Sequence, residues 1–349
     1  MSAAAAWAAL TAAGCHSGGN NPPPPMAATR TWRMGFSALP PRPDPAEALT
    51  TIAAWSSRAD LALIHDEPPW AVMLSGASLD NWLQQNRTAL VDIYRSKGMQ
   101  VVYMTDLTNG LNRSQEAPNL VAIGHSLAEP AVQQAVRNYV LAVSRLLRPD
   151  YLGLAAETNL IRIQAPSIYA SVRQTANAAA ADVATAGTPA KLFVSVQVET
   201  AWGFASGGPF IGIDTDRADF SFMQLIGLSS YPYLVYPNPE DPPSDYYSRL
   251  LSATAPLPMM VVEGGWPSVS VPAMGIVTSP EKQVRYVTRQ AALLDGVSAI
   301  GWTQLQFTDL DPVVFAAAGP FLTIGLVDTQ YVAKPALAQW DALFARPRA

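Results

Sequence analysis

The fold is decided by the stretch YLGLAAETNLIRIQAPSIYASVRQTANAAAADVATAGTPAKLFVSVQVE, residues 151–199. Its two ends, Tyr151–Glu157 and Lys191–Glu199, are apolar runs of strand length, as expected for strands that are buried on both faces. Between them, Pro166–Ala186 has the length of a helix and begins with a proline, which is favoured at the first helical position. A strand, a helix and a second strand in this order predict a parallel βαβ unit.

The same alternation continues on both sides of this stretch. Six further strands are predicted, at Arg33–Ser37, Leu61–His65, Gln100–Asp106, Leu225–Tyr231, Pro258–Glu263 and Ala299–Gln304. Further helices are predicted at Pro45–Arg58, Leu79–Lys97, Pro130–Leu147, Ser244–Ala253, Glu281–Asp295 and Lys334–Phe344, with a less regular pattern across Asp214–Gln224. Asp44 and Ser78 are the expected N-caps of the first two of these helices, and Gly98 is the expected end of the second.

Eight strands in alternation with seven or eight helices predict the α/β class and a (β/α)8 TIM barrel. Long segments follow several of the strands, which predicts a single domain with enlarged loops at the C-terminal face of the barrel, where active sites are built. The alternative is an open doubly wound sheet. That fold usually has a glycine-rich turn after its first strand, whereas here the first strand continues as Ala38-Leu39-Pro40-Pro41.

The amino-acid composition limits which partners, metal sites and catalytic groups are expected. Of 349 residues only 14% are charged, against roughly 25% in an average domain, and the net charge is −5. Without an excess of Lys and Arg, a nucleic-acid partner is not expected. One Cys and three His leave little material for a metal site, so we expect neither a metal nor a cofactor. If the chain is an enzyme, its catalytic groups are expected to be carboxyl groups.

The first 31 residues differ from the rest. An apolar run, Ala3–Ala13, leads to Gly14 and Cys15, and small residues before a lone Cys resemble the lipobox of bacterial lipoproteins, in which the Cys is lipidated. The following HSGGNNPPPP reads as a linker. This resemblance implies a signal segment and tether over residues 1–31 of a secreted or cell-envelope protein that touches the membrane only through its lipid. The predicted (β/α)8 domain then occupies residues 32–349. The alternative is a tail in which Cys15 has no function.

Three predicted strands end on a glutamate, namely Glu157, Glu199 and Glu263. A carboxylate after a buried apolar strand is costly unless it is used. By count these residues close strands 4, 5 and 7, and strands 4 and 7 lie on opposite sides of an eight-stranded ring. Hydrolysis of a glycosidic bond needs two opposed carboxyl groups, one to protonate the leaving oxygen and one to attack or to activate water. The sequence therefore predicts Glu157 and Glu263 as that pair.

At these residues the chain resembles the clan A glycoside hydrolases. Glu263-Gly264-Gly265-Trp266-Pro267-Ser268 is similar to the nucleophile segment of family 17 β-glucanases and family 53 galactanases. IGLSSYPY, residues 226–233, resembles the strand 6 segment of family 53, and Ile300-Gly301-Trp302 matches the strand 8 position of a sugar-stacking Trp. The chain end, with Lys334-Pro335-Ala336-Leu337 before its last helix, is similar as well.

The resemblance implies a role for each of these residues. Glu157 is the expected acid/base and Glu263 the expected nucleophile of a retaining enzyme, with Tyr231 beside the nucleophile and Trp302 stacking on a sugar. Where the clan usually has an Asn directly before the acid/base, this chain has Ala156, and Asn159 is the candidate to replace that Asn in binding the substrate.

Further substrate-binding candidates follow the predicted strands: Glu199, Trp266, Trp202, His65, Asp66 and Asp106. Each has a structural alternative. The aromatic rings could pack within loops, Glu199 could bind a neighbouring loop, and His65 with Asp66 could tune Glu263 or belong to the core.

The sequence thus predicts a retaining glycoside hydrolase that cleaves a β-linked polysaccharide or oligosaccharide by two-Glu double displacement. The likeness to family 53 suggests β-galactan. The alternative is a non-catalytic carbohydrate-binding lipoprotein on a degenerate TIM barrel, which Ala156 favours. The sequence contains neither a Gly-x-Ser-x-Gly elbow with a late His nor a P-loop, which disfavours acyl transfer and excludes P-loop phosphoryl transfer.

Overall fold

A computed structural model describes residues 27–251 and 257–349. Cys15 and the apolar run before it lie outside the described residues, so the lipobox prediction is not tested. The strands are β1 (Arg33–Ser37), β2 (Leu61–Asp66), β3 (Gln100–Thr105), β4 (Tyr151–Gly153), β5 (Lys191–Phe193), β6 (Ser195–Gln197), β7 (Ile226–Ser230), β8 (Met259–Gly264) and β9 (Ala299–Gln304).

The helices are α1 (Pro45–Trp55), α2 (Trp70–Leu74), α3 (Leu79–Leu83), α4 (Ala89–Ser96), α5 (Pro118–Ala122), α6 (Pro130–Leu146), α7 (Thr158–Gln164), α8 (Pro166–Thr185), α9 (Val198–Ala201), α10 (Asp214–Asp219), α11 (Pro280–Asp295) and α12 (Pro335–Phe344). A π-helical turn, Gln84–Thr88, joins α3 to α4. Within the described ranges no helix combines the length and the apolar character that a membrane crossing requires.

Helix ends form where the sequence predicts them. The Asp44 carboxylate accepts hydrogen bonds from the backbone N–H groups of Ala46 and Glu47, and the Ser78 hydroxyl accepts one from Asn81. These side chains satisfy donors that have no partner inside the helix. Gly98, with φ of +76°, follows α4 in the left-handed conformation that glycine adopts without steric cost.

Three predicted elements differ from the structure. Strand Tyr151–Glu157 ends already at Gly153, and Lys191–Glu199 is divided into β5 and β6. The division arises because β5 pairs with β4 whereas β6 pairs with β7, so the chain changes partners at Val194. The described part of the helix predicted over Ser244–Ala253 consists of turns and a short 3-10 helix.

The strands run in the order β5-β4-β3-β2-β1-β9-β8-β7-β6, and the pairs are parallel. With the fifth predicted strand counted as two, this is the predicted α/β fold class, a (β/α)8 TIM barrel. Enlarged loops follow β3, β7 and β9.

The residues group into two compact units. Of the described residues, the first unit contains residues 27–60, Val198–Gly212, residues 230–251 and residues 257–349, and the second contains Leu61–Gln197 and Ile213–Ser229. In the first unit β1 and β8 both pair with β9, and in the second β2, β3, β4 and β5 pair in sequence.

The core of the first unit is aromatic. Trp302 of β9 is fully buried, and its ring centroid lies 4.7 Å from that of Trp340 on α12 and 5.7 Å from that of Trp32. Phe36 of β1 also packs on Trp340, at 4.5 Å. Such pairs contribute about 0.5–1.5 kcal/mol each beyond their buried area. The prediction that Trp302 stacks on a sugar is therefore wrong, because its ring packs on the helix that covers its strand.

In the second unit, the packing of α6 on α8 is largely aliphatic. Helix α6 buries Val132, Val136, Val140 and Val143, and α8 buries mostly alanine and valine. Small side chains let the two helices lie close together. The ion pair between Arg137 and Asp182, with an N···O distance of 2.8 Å, links them at the surface.

Candidate functional site

Glu157 lies in the turn between β4 and α7, in the second unit. Its φ of +49° is in the left-handed region, which costs a residue with a side chain roughly 1–2 kcal/mol. The hydroxyl of Ser195 accepts a hydrogen bond from the Glu157 backbone N–H at 2.9 Å. A strained backbone held by a specific contact is typical of functional sites.

The Glu157 carboxyl group is 6% exposed and has donors at both oxygens. Arg113 Nε donates to Oε2 at 2.7 Å, and the Ser229 hydroxyl donates to Oε1 at 2.6 Å. Gln197 Nε2 also lies 3.3 Å from Oε1. The group is thus surrounded by donors from three different loops or strands of the unit.

Arg113 joins Glu157 to a second carboxylate, that of Asp106. Arg113 Nη1 donates to both Asp106 oxygens, at 2.6 and 2.8 Å, and His65 Nε2 lies 3.1 Å from Oδ2. Burial by itself raises the pKa of Asp106, but the Arg113 charge and the His65 contact outweigh it and hold the pKa of Asp106 well below its usual range. Asp106, predicted to bind substrate, instead has its carboxylate occupied by Arg113 and His65.

Asn159 is bound by the backbone. Its Nδ2 donates to the Gln197 carbonyl at 2.8 Å, and its Oδ1 accepts from the Gln197 N–H at 2.8 Å. The side chain is buried with both ends of its amide in use. The prediction that Asn159 binds substrate is therefore wrong. It fixes the end of β6, and Gln197 in turn reaches Glu157.

His65 and Asp66, neighbours at the end of β2, have different hydrogen-bond partners. Asp66 accepts hydrogen bonds from Arg87 Nε at 2.5 Å and from the Tyr103 hydroxyl at 3.2 Å, while His65 meets Asp106. Successive residues of a strand point to opposite faces of the sheet. The Asp66 carboxylate is partly exposed and is held by Arg87 and Tyr103. Its role as a substrate-binding residue stays a prediction.

Glu263 lies near the end of β8, in the first unit. It is 6% exposed, and the hydroxyl of Tyr231 donates to its Oε2 at 3.3 Å. Tyr231 directly follows β7. The predicted neighbourhood of Tyr231 and Glu263 is confirmed.

Glu199 supports Tyr231 from the short helix α9. Its Oε1 accepts hydrogen bonds from the Tyr231 backbone N–H at 2.8 Å and from the Tyr246 hydroxyl at 2.7 Å. Burial, together with the Glu199 charge, raises the pKa of Tyr246 well above its ordinary value. Glu199 is buried, and these contacts give it a structural part in holding Tyr231.

Two tryptophans predicted to bind sugar differ in exposure. Trp266 is buried, its Nε1 donates to Thr278 Oγ1 at 2.8 Å, and its ring packs on Tyr286 of α11. The prediction that Trp266 stacks on substrate is wrong for this reason. Trp202 is partly exposed, and it stacks on Tyr246 with 5.6 Å between ring centroids. Its role in binding substrate stays a prediction.

Three residues of the Glu157 cluster were missed from the sequence: Arg113, Gln197 and Ser229. The last two carry a weak signal, because each is one of several polar residues in a mostly apolar predicted strand. Arg113 carries no such signal, since it lies in a loop of polar residues. Within residues 27–251 and 257–349, no three His, Cys, Asp or Glu side chains come together as a metal site requires.

No known protein family matches the sequence, and neither does any curated protein. Solved structures do match the fold. The exo-beta-1,4-mannosidase Op5Man5 from Opitutaceae bacterium strain TAV5 is 14% identical, with a TM-score of 0.68 over 94% of this chain, and this chain spans only 62% of the mannosidase.

Two other structures match over most of both chains. The GH53 catalytic domain of Ignisphaera aggregans is 15% identical, with a TM-score of 0.60 over 93% of this chain and 98% of its own. GH5_18 from Streptomyces cattleya, solved in complex with GlcNAc, is 16% identical, with a TM-score of 0.65 over 91% of this chain and 80% of its own. The resemblance to the clan A glycoside hydrolases is confirmed at the level of the fold.

Proposed function

We propose that the chain is a retaining glycoside hydrolase that acts on a β-linked polysaccharide or oligosaccharide. The observation that carries the proposal is a pair of buried glutamates, Glu157 after β4 and Glu263 at the end of β8, on a fold shared with glycoside hydrolases. Burying a carboxyl group is costly unless it is hydrogen-bonded. Both of these carboxyl groups accept hydrogen bonds from side-chain donors.

Each glutamate has one role in the proposed double displacement. Glu263 attacks the anomeric carbon while Glu157 gives its proton to the leaving glycosidic oxygen, which yields a glycosyl-enzyme ester and a free alcohol. Glu157 then takes a proton from water as the water attacks the ester, and Glu263 leaves as a carboxylate. Tyr231 donates to Glu263 and holds it for the attack. β-Galactan is the first substrate to test.

The test compares Glu157→Gln and Glu263→Gln on β-glycans and on aryl β-glycosides. Glu263→Gln is expected to lose hydrolysis of both. Glu157→Gln is expected to lose roughly 10²- to 10⁴-fold on glycans, as for removal of a general acid, and less on nitrophenyl glycosides, whose leaving group needs no proton. A fluorinated glycoside that traps the ester should add its mass to Glu263. Full activity of either variant would refute the assignment.

A second candidate is a carbohydrate-binding protein without catalysis. It is favoured by Ala156 and by the donors on both Glu157 oxygens. With Arg113 on Oε2, the Ser229 and Gln197 donors must leave Oε1 before that oxygen can meet a glycosidic oxygen. Calorimetry with β-linked oligosaccharides separates the two. Tight binding that Glu157→Gln leaves unchanged, with no release of reducing ends by the wild type, supports the binder.

We also propose that Cys15 is lipidated and that the protein is anchored in the bacterial cell envelope. Support comes from the small residues before Cys15 and the linker after it. Labelling of cells with a clickable palmitate should mark the wild type and leave Cys15→Ala unmarked. Equal labelling of both, or of neither, would contradict the proposal.

A further inference from the structure

A short hairpin loop presents one buried cation to Glu157. Residues 106–116 turn back on themselves through an antiparallel bridge between Thr108 and Glu116 and a hydrogen bond from the Asn109 N–H to the Gln115 carbonyl. Glu116 also accepts from the hydroxyl of Ser126, which ties the base of the loop down. From residue 109 to residue 116 only Arg113 is buried.

Arg113 joins the loop to Glu157. The side chain is 3% exposed, and it uses Nε for Glu157 at 2.7 Å and Nη1 for Asp106 at 2.6 and 2.8 Å. The hydroxyl of Thr108 accepts from the same Nη1 at 3.0 Å. A planar guanidinium with several of its donors fixed in this way has one orientation, which a lysine cannot reproduce.

Behind Arg113, Asp106 is held in turn. His65 Nε2 lies 3.1 Å from Asp106 Oδ2, and the Thr108 backbone N–H donates to Oδ1 at 3.2 Å. The charged and titratable groups in this network are therefore His65, Asp106, Arg113 and Glu157, and the remaining donors to Glu157, Ser229 and Gln197, are neutral. The chain of contacts runs from the end of β2 to the carboxyl group after β4.

We propose that Arg113 is the positioning residue of Glu157, and that Asp106 and His65 hold Arg113 in that orientation. The inference rests on the proposed function and deepens it, because it names what holds the acid/base in place. An acid/base must reach the leaving oxygen within hydrogen-bond distance, and a misplacement of about 1 Å can reduce the rate about 10²-fold.

The experiment compares Arg113→Lys and Arg113→Gln with Arg30→Lys. Arg30 is a matched control, since it is 4% exposed and pairs with Asp60 at 3.0 Å but does not contact either glutamate's cluster. On β-glycans we expect Arg113→Gln to lower kcat about 10- to 100-fold with little change in KM, and Arg113→Lys to recover part of the loss. Arg30→Lys should keep the wild-type kcat even if it melts earlier.

The pH profile gives a second readout. Removing a neighbouring cation favours the neutral form of a carboxyl group, so the alkaline limb of kcat/KM should move to higher pH in Arg113→Gln and stay in place in Arg30→Lys. Added guanidinium ion should restore part of the activity of Arg113→Ala. An unchanged kcat and an unchanged pH profile in Arg113→Gln would overturn the proposal.

Failure of the proposed function is distinguishable from failure of this inference. If the wild type hydrolyses no glycoside, the proposed function is wrong, and a crystal structure of Arg113→Gln still decides the positioning. A Glu157 carboxyl group that has moved or is seen in several rotamers supports the inference. A carboxyl group in its wild-type place refutes it.

Discussion

The two buried glutamates are held by different chemistry. Around Glu157 the donors include a guanidinium that is itself paired with a second carboxylate, Asp106. Around Glu263 the donors include a tyrosine hydroxyl, and the neighbouring Glu199 is likewise bound by a tyrosine hydroxyl and a backbone N–H. The first cluster contains a buried ion pair, and the second contains neutral phenol donors.

This difference teaches how each cluster should respond to substitution. Breaking a buried ion pair leaves a charge without compensation, whereas removing a hydroxyl leaves only one hydrogen bond unmade. The Glu157 cluster should therefore be sensitive in stability and in its dependence on pH. The Glu263 cluster should be sensitive mainly in rate.

The largest effect is expected for Asp106→Asn. The substitution removes the charge that pairs with the buried Arg113, so the free energy of unfolding should fall by about 3–5 kcal/mol. Asp182→Asn is the control, because its pair with Arg137 is partly exposed and worth at most about 1 kcal/mol. Urea unfolding measures both. Equal losses in the two variants would mean that the buried Asp106 pair is no more costly to break than a pair at the surface.

The stability difference between wild type and Asp106→Asn should also depend on pH. The folded pKa of Asp106 is depressed, so its contribution to stability is present above the unfolded pKa, near 4, and is lost as the pH falls towards the folded value. The stability gap between wild type and Asp106→Asn should shrink by about 1 kcal/mol between pH 7 and pH 3. A gap that stays constant over that range would contradict the ionised pair.

A smaller effect is expected for Tyr231→Phe, measured as rate. Loss of the hydroxyl that donates to Glu263 should lower kcat about tenfold, the lower end for a hydrogen bond to a charged group, because the bond is long at 3.3 Å. Tyr247→Phe is the control, since that hydroxyl bonds Ser230 and Gln290. If both variants lose the same activity, the contact to Glu263 has no particular part in the reaction.

The smallest effect is expected for Tyr246→Phe. The hydroxyl it removes donates to Glu199 Oε1, and the Tyr231 backbone N–H still donates to the same oxygen. Stability should fall by about 1 kcal/mol, with kcat closer to the wild type than in Tyr231→Phe. A larger loss of rate than that of Tyr231→Phe would mean that Glu199 contributes more to the reaction than holding Tyr231.

The fold was predictable because its apolar runs are short and clearly bounded. The bounds of β1 and β9 agree with the prediction residue for residue. The break at Val194 was not predictable, since it depends on which neighbouring strand supplies the hydrogen bonds. The helix predicted from residue 244 onward was wrong as well, since the described part of that segment forms turns and a 3-10 helix.

The site was predictable only where a residue type was out of place. A glutamate after an apolar strand stands out, and so Glu157 and Glu263 were found. The direction of Trp302 was hidden, because a strand buried on both faces shows no alternation of polar and apolar residues. Arg113 was hidden because nothing in a polar loop distinguishes the one side chain that turns inward.

The indoles of Trp302 and Trp340 give the first unit an optical reporter. Their ring centroids are 4.7 Å apart at an interplanar angle of 57°, and two transition dipoles that close and that inclined produce an exciton couplet in circular dichroism. The Trp302–Trp340 contribution requires α12 to be seated on β9, whereas the contribution of Trp302 and Trp32 does not. The Trp302–Trp340 contribution should therefore follow the detachment of the last helix separately from the loss of overall helical signal, without any added label.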